Sequence, residues 1–461
     1  MIAIIIVDIL TKNGNCLQSI TYDLKEDDIL YFLHIPKTAG MSLVSILDNY
    51  FDYDSILLEI AWQELILTLP RDFSRYRLIR GHFGYSIHRI LPKKPIFMTM
   101  LREPIERTIS DYEHMKREAL NFNLVEFFSK KNISDFLTDD STSWRLTNNQ
   151  IRHIGIDRDI LAHADSIVKT GLGNIRPSMT IEYKSDGEPS DEELLEIAKQ
   201  RLLEFPFFGI TERFYDSMLL FAYTFGFRPN INLSKRNVTH NRTRRDDLPE
   251  DSIELLLNCT KLDRDLYAYG KDIFDSRFIK MVHDLEEKYT NHGIQNMSFQ
   301  DRMLEMLQKN HEDRYCGIYG SDFIEYDFRQ KVQGIGWEAR EFAPDGTAFR
   351  WIGPETTASM YFALKRDKDK KLRFRIPYVI TPDILENLKV KVDGKVVELE
   401  ELLNYRDKRV FEVTIPKIEK QEERFTSVVF QVDHVVSPSS INLNSTDDRL
   451  LGIAIDWIKV L

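Results

Sequence analysis

The pattern of apolar and polar positions changes character twice along the chain. Tyr31 to Ile35 is a short apolar run; Pro36 and Gly40 punctuate a turn after it, and Ser42 to Leu47 places apolar residues on one helical face. That pattern predicts a buried strand, a tight loop and a helix. Ser55 to Leu69 predicts a second helix, Arg77 to Gly84 a short strand ending at a glycine, and Pro95 to Leu101 a largely apolar strand. Pro104 then suits the first turn of a further helix. Between Ala119 and Leu202 the reading is mostly helical with polar interruptions, and Ser190-Asp-Glu-Glu opens a helix through Glu204 with acidic residues where the helix dipole favours them. Phe207 to Phe214 predicts a last strand leading into a helix, two more helices start near Leu248 and Leu262, and Ile279 to Asn310 is charged and helical. From Tyr315 the texture changes. Short alternating runs lie at 349–352, 358–364, 372–379, 388–392, 410–415, 426–432 and 451–458, with Asp345-Gly346 and Asp393-Gly394 at hairpin turns, which predicts a β-sandwich.

The first strand–loop–helix carries chemistry. The free N–H groups of the helix start and the positive end of its dipole point into the loop, and Lys37 adds a full charge. A phosphate or phosphosulfate group fits there, with Thr38 and Ser42 as hydroxyl donors. The loop is not a Walker loop, because Lys37 precedes Gly40 by three residues and no earlier glycine opens it. His82 ends the next strand, on the side where the ligand crevice of an open α/β sheet lies. Its unperturbed pKa of about 6.5 suits a general base, although a strand-capping role explains it as well. His88 is a second, weaker choice. Arg102 leaves the following strand, and Ser110 lies eight residues later, two helical turns on. A guanidinium grips phosphate bidentately and a hydroxyl adds one more bond.

The wording His34-Ile-Pro-Lys-Thr-Ala-Gly-Met-Ser-Leu43 closely resembles the 5′-phosphosulfate loop of the carbohydrate (Golgi-type, family 2-like) sulfotransferases, which use 3′-phosphoadenosine 5′-phosphosulfate, PAPS, and release PAP. Ala39 and Met41 stand where that family usually has Gly and Thr or Ser. The resemblance implies a P-loop-like parallel sheet flanked by helices, PAPS contacts from Pro36, Lys37, Thr38, Ala39, Gly40, Met41 and Ser42, and a 3′-phosphate site at Arg102 and Ser110. It implies that His82 deprotonates the acceptor hydroxyl while Lys37 neutralises charge on the departing phosphate oxygen, with no metal required. Asn149, Gln150 and Arg152 resemble a family segment bordering the acceptor cleft. The basic stretch 234–245 resembles the loop that closes over PAPS, with Lys235, Thr239 and Arg242 as candidates. The β-sandwich, with Trp337 and Trp351, resembles carbohydrate-binding modules appended to some bacterial glycosyltransferases and sulfotransferases; both tryptophans equally suit a sandwich core.

Length and composition bound the rest. At 461 residues two domains are expected: a sulfotransferase domain at 1–278, a helical connector at 279–312 and a β-sandwich domain at 313–461. A net charge of −11 argues against a general nucleic-acid or anionic-membrane surface, so any anion site must be local. Cys16, Cys259 and Cys316 are too few and too scattered for a disulfide framework or a zinc site. Met1 to Leu10 is apolar but lacks a basic leader and is far short of the roughly 20 apolar residues that span a bilayer. A first strand or hairpin turning at Asn13-Gly14-Asn15, and a cytoplasmic enzyme without an integral membrane segment, are expected. The expected activity is an O-sulfotransferase acting on a hydroxyl, foremost of a glycan. The alternatives are a carrier-bound or small-molecule hydroxyl as acceptor, or a non-catalytic carbohydrate-binding protein.

Overall fold

The computed structural model describes residues 20–121, 132–164, 189–229, 243–289, 296–314, 320–405, 408–419, 425–442 and 444–461. The chain forms two compact units. One comprises Met1–Val44, Ser55–Pro229 and Lys235–Leu307; the other comprises Ser45–Asp54, Asn230–Ser234 and Gln308–Leu461. The predicted hairpin at the N-terminus lies outside the described residues.

In chain order the elements that build the first unit are β1 (Leu30–Leu33), α1 (Gly40–Leu47), β2 (Ile56–Leu57), α2 (Trp62–Ile66), β3 (Leu78–Gly81), β4 (Ile96–Leu101), α3 (Pro104–Asn121), α4 (Ile133–Thr138), α5 (Asp140–Leu146), α6 (Asn149–Gly155), α7 (Asp191–Glu204), β5 (Phe207–Ile210), α8 (Phe214–Phe225), α9 (Glu250–Cys259) and α10 (Lys261–Tyr289). A further helix, α11 (Phe299–Arg314), follows. The five strands make one sheet in the order β2-β3-β1-β4-β5, and every pair is parallel. Strands β1 and β5 are buried along their whole length, as parallel strands covered on both faces must be. Ser190 caps α7 with a capping box, as its spacing to Glu193 predicts. The stretch 55–69 departs from its helical expectation: Ile56 and Leu57 pair with Leu78 and Ile79 of β3, and only Trp62–Ile66 is α-helical. Burial on a sheet edge outweighs a periodicity that short segments display ambiguously. Among the described residues no helix is long and apolar enough to cross a membrane.

The second unit is antiparallel in all of its named strand pairs. It comprises β6 (Ile324–Asp327), β7 (Glu341–Phe342), β8 (Ala348–Trp351), β9 (Thr357–Phe362), β10 (Lys370–Ile376), β11 (Tyr378–Val379), β12 (Lys389–Val392), β13 (Lys395–Val397), β14 (Leu399–Tyr405), β15 (Lys408–Ile415), β16 (Thr426–Gln431), β17 (Ile453–Ile455) and β18 (Trp457–Val460). The sheets run β14-β15-β10-β18-β6, β11-β17-β8-β7 and β13-β12-β16-β9. Alternate residues of β10 and β16 point into a core that includes Phe374, Val428 and Phe430. Asp393 and Gly394 both adopt positive φ (46° and 78°) and join β12 to β13, the geometry a two-residue hairpin demands. Trp337 and Trp351 are each only 9% exposed, and the Trp337 indole N–H donates to the Ser359 carbonyl at 2.8 Å, so both serve the interior. Ser45–Asp54 is stitched into this unit: Arg350 Nη1 donates to Asn49 Oδ1 at 2.7 Å, and the N–H of Val332 donates to the Asn49 carbonyl at 2.7 Å.

Candidate active site

Strand order decides which loops meet. Because β1 lies between β3 and β4, the loops leaving their carboxyl ends are neighbours, and these carry His82, Lys37 and Arg102. Arg102 Nη1 donates to the Lys37 carbonyl at 2.8 Å, so the two loops are in direct contact.

The loop 34–40 is shaped by steric constraints. Lys37 and Ala39 both hold positive φ (70° and 63°), a conformation that L-residues adopt at some cost. Thr38 is wholly buried and donates its hydroxyl to the Ile35 carbonyl at 2.9 Å. Its single proton is therefore engaged within the loop, which removes Thr38 as a hydroxyl donor to an anion in this conformation; Ser42 is half-buried at the helix start. Gly40 answers to His34, because a Cβ on Gly40 would lie 1.8 Å from His34 Nε2. The His34 ring cannot yield, since it is stacked against Phe32 (5.2 Å) and His82 (4.3 Å). Met41 is 61% exposed.

His82 is placed by its backbone and oriented by its ring. Its N–H donates to the Ile60 carbonyl at 2.8 Å, and a side chain on the preceding Gly81 would meet that same carbonyl at 2.7 Å, so only glycine fits there. His82 Nδ1 lies 2.8 Å from the His34 carbonyl. A carbonyl can only accept, so Nδ1 carries the proton and Nε2 carries the lone pair, the tautomer a general base requires. Burial lowers the pKa of His82 to about 4, with Arg145 adding to the effect, so the ring is neutral near pH 7. His82 and Arg152 line one cavity together with Trp62, Phe83, Gly84 and His153. His88 is engaged elsewhere, 3.1 Å from Asp157.

The cations around Lys37 are organised by residues that sequence reading passed over. Asp111, wholly buried on α3, accepts from Arg145 Nε and Nη2 at 3.0 and 2.7 Å and from the equally buried Arg107 at 3.4 Å. Burial alone would raise the Asp111 pKa, but Arg145 and Arg107 outweigh it and hold it at about 2. Burial pulls the Lys37 ammonium below its ordinary range, and of the charges that act on it Asp111 opposes that shift while Arg117, Arg145 and Arg102 reinforce it. Ser110 is half-buried beside Asp111 on α3. The chain carries a net −11, yet among the described residues this end of the sheet gathers Lys37, Arg107 and Arg145 around Asp111, with Arg102 near Lys37 and Asp263 acting on Arg107. Such a local surplus of positive charge favours a polyanionic ligand.

Asn149 and Gln150 are each 1% exposed and do not line the cavity beside His82. Both ends of the Gln150 carboxamide are engaged by the backbone of Arg102. That corrects the expectation of acceptor contacts from these two residues; Arg152 alone of the three reaches the cavity. Lys235, Thr239 and Arg242 lie outside the described residues.

No family model matches the chain. Among curated proteins it is similar to heparan-sulfate 6-O-sulfotransferase 1 of Homo sapiens, 25% identical over 351 residues that cover 67% of this chain and 80% of that one. Heparan-sulfate 6-O-sulfotransferase 2 of Mus musculus is 24% identical over 317 residues, covering 58% of this chain and 47% of that one. Among solved structures, a family 35 carbohydrate binding module from Clostridium thermocellum overlaps 31% of this chain and 95% of its own length, at 14% identity and a TM-score of 0.18. The likeness to these sulfotransferases extends over more than half of the chain.

Proposed function

We propose that this protein is a PAPS-dependent O-sulfotransferase whose acceptor is a hydroxyl of a glycan. The observation that carries the reading is the contact of the Arg102 guanidinium with the Lys37 carbonyl beside the neutral ring of His82. The loops that carry these three residues leave neighbouring strands on one edge of the sheet, which supports a shared site. Similarity to heparan-sulfate 6-O-sulfotransferases supports a glycan acceptor.

The residues present fit the donor. Two left-handed residues and a helix start offer N–H groups to a phosphosulfate, and Arg102 with Ser110 offers a guanidinium and a hydroxyl to a second phosphate. When bound, PAPS supplies the sulfuryl group. His82 Nε2 takes the proton of the acceptor hydroxyl as the oxygen attacks sulfur in line, and Lys37 neutralises the charge left on the phosphate oxygen. Holding donor and acceptor in one orientation contributes as much as the proton transfer.

The test is transfer from labelled PAPS to desulfated heparan-type glycans, carrier-bound hydroxyacyl chains and small alcohols, side by side. Label should enter the glycan. Label in the carrier or the small alcohol alone would redirect the acceptor class, and PAP binding without transfer to any of them would leave a non-catalytic protein.

A further inference from the structure

Strand β4 last pairs with β5 at Leu101, opposite Ile210. The peptide groups of Arg102 lie just beyond the ladder, and Gln150 replaces the missing strand. Gln150 Oε1 accepts from the Arg102 N–H at 3.0 Å, and Gln150 Nε2 donates to the Arg102 carbonyl at 2.8 Å. A carboxamide carries the same donor and acceptor as a peptide, so one side chain completes both bonds; since the N–H can only donate and the carbonyl only accept, the amide orientation is fixed.

Gln150 is itself held from behind. The Asp263 carboxylate accepts from the N–H groups of Gln150 and Ile151 at 3.1 and 2.9 Å, and Asn148 Oδ1 accepts from the N–H groups of Leu262 and Asp263 at 3.1 and 3.3 Å. Helices α6 and α10 thus cap each other, and α6 cannot move without breaking buried bonds. On the other side Arg102 reaches the carbonyl of Lys37, whose φ of 70° needs an external hold. A continuous line of hydrogen bonds therefore runs from Asp263 through Gln150 and Arg102 to the loop.

We propose that Gln150 is a positioning residue for the donor nucleotide: it aims Arg102 and, through Arg102, fixes the backbone of Lys37, without touching donor or acceptor itself. The proposal rests on the reading of this site as a PAPS site.

The test measures PAP affinity by calorimetry for the wild type, Gln150→Leu and Gln150→Glu. Gln150→Leu removes both hydrogen bonds to the Arg102 peptide groups and should weaken PAP binding about tenfold or more at any pH. In Gln150→Glu the ionised carboxylate can accept from the N–H of Arg102 but turns its second oxygen on the carbonyl; once protonated, its O–H donates there and the pair is restored. Relative to wild type at the same pH, Gln150→Glu should be weak at about pH 8 and recover toward wild-type affinity at about pH 5.5, because burial raises a carboxyl pKa. In turnover, the donor KM should rise while the acceptor KM stays constant. PAP affinity of Gln150→Leu within about twofold of wild type, no pH recovery in Gln150→Glu, or a rise confined to the acceptor KM would each overturn the proposal. If Gln150→Leu does not fold, the pH comparison within Gln150→Glu decides. A wild type that fails to bind PAP would sink the reading of the site; a wild type that binds, with indifferent variants, sinks only the role of Gln150.

Discussion

His153 should make the first unit sensitive to acid, and by a calculable amount. The side chain is 3% exposed, its Nδ1 lies 2.8 Å from the Asn149 carbonyl, and its buried Nε2 has no hydrogen-bond partner among the described residues. Burial drives its pKa to about 3, with repulsion from His82, Arg107 and Arg152 adding to the effect. In the unfolded chain a histidine protonates at about 6.5. Between those two values the unfolded state binds the proton and the folded state does not, so stability falls as the pH drops through that window and is intact above it. At about pH 4.5 the unfolded side has gained about two pH units of protonation, or about 3 kcal/mol, from this residue alone. The substitution His153→Gln removes the titration and keeps a side-chain donor for Asn149. Urea unfolding followed by far-ultraviolet circular dichroism, which reports chiefly on the helices, should therefore show His153→Gln losing about 3 kcal/mol less than wild type between about pH 7.5 and 4.5, with the two within about 1 kcal/mol at the upper pH. His34 and His82 titrate in both proteins and cancel in the comparison. An equal acid sensitivity of the two proteins would refute the buried neutral imidazole.

The base assignment gives a second expectation. His82→Ala should keep PAP affinity and lose about 10²- to 10⁴-fold in kcat. In wild type the acid limb of kcat/KM should turn near pH 4, as His82 gains its proton, and a limb near the unperturbed histidine value would contradict the burial that lowers it. Gly40→Ala drives a methyl into the His34 ring and should lower stability by about 1–3 kcal/mol and abolish PAP binding, measured by melting and calorimetry. Ala39→Gly relieves a left-handed residue and should raise stability by about 1 kcal/mol, provided the loop keeps its shape, which PAP affinity reports. Arg102→Lys retains the charge but not the fork that reaches Lys37, and calorimetry should show PAP affinity falling about tenfold or more.

Much of this site could be read along the chain because its determinants are local. A strand, a loop with Lys37 and a helix start lie within 17 consecutive residues from Tyr31 to Leu47, and Arg102 repeats the arrangement at the end of β4, the neighbour of β1 in the sheet. What escaped was tertiary. Asp111 meets Arg145 across 34 positions, and Gln150 meets Arg102 across 48, distances over which no periodicity operates. Gln150 read as a cleft residue through its resemblance to a family segment; only the end of the β4 ladder explains why it turns inward. His153, one polar residue on an apolar face of α6, gave no sign of the proton it refuses. In the second unit the runs at β10, β12 and β16 alternate cleanly, and those at β8, β9 and β15 were legible as short apolar segments between turns. Strand β14 was not, since Leu399-Glu-Glu-Leu-Leu favours a helix by composition and becomes a strand by pairing with β15, with a bulge between Glu401 and Leu403.

The interleaving of the units in sequence bears on how the protein can be divided. Residues 45–54, which begin within the last turn of the helix behind the phosphate-type loop, group with Arg350 and Val332, about three hundred residues downstream. Clipping the polypeptide once in the connecting helices would strand that decapeptide from its hydrogen-bonding partners and leave the fully enclosed Arg350 guanidinium without the Asn49 amide. Proteolytic trimming or gene truncation at a single point is thus expected to yield insoluble fragments.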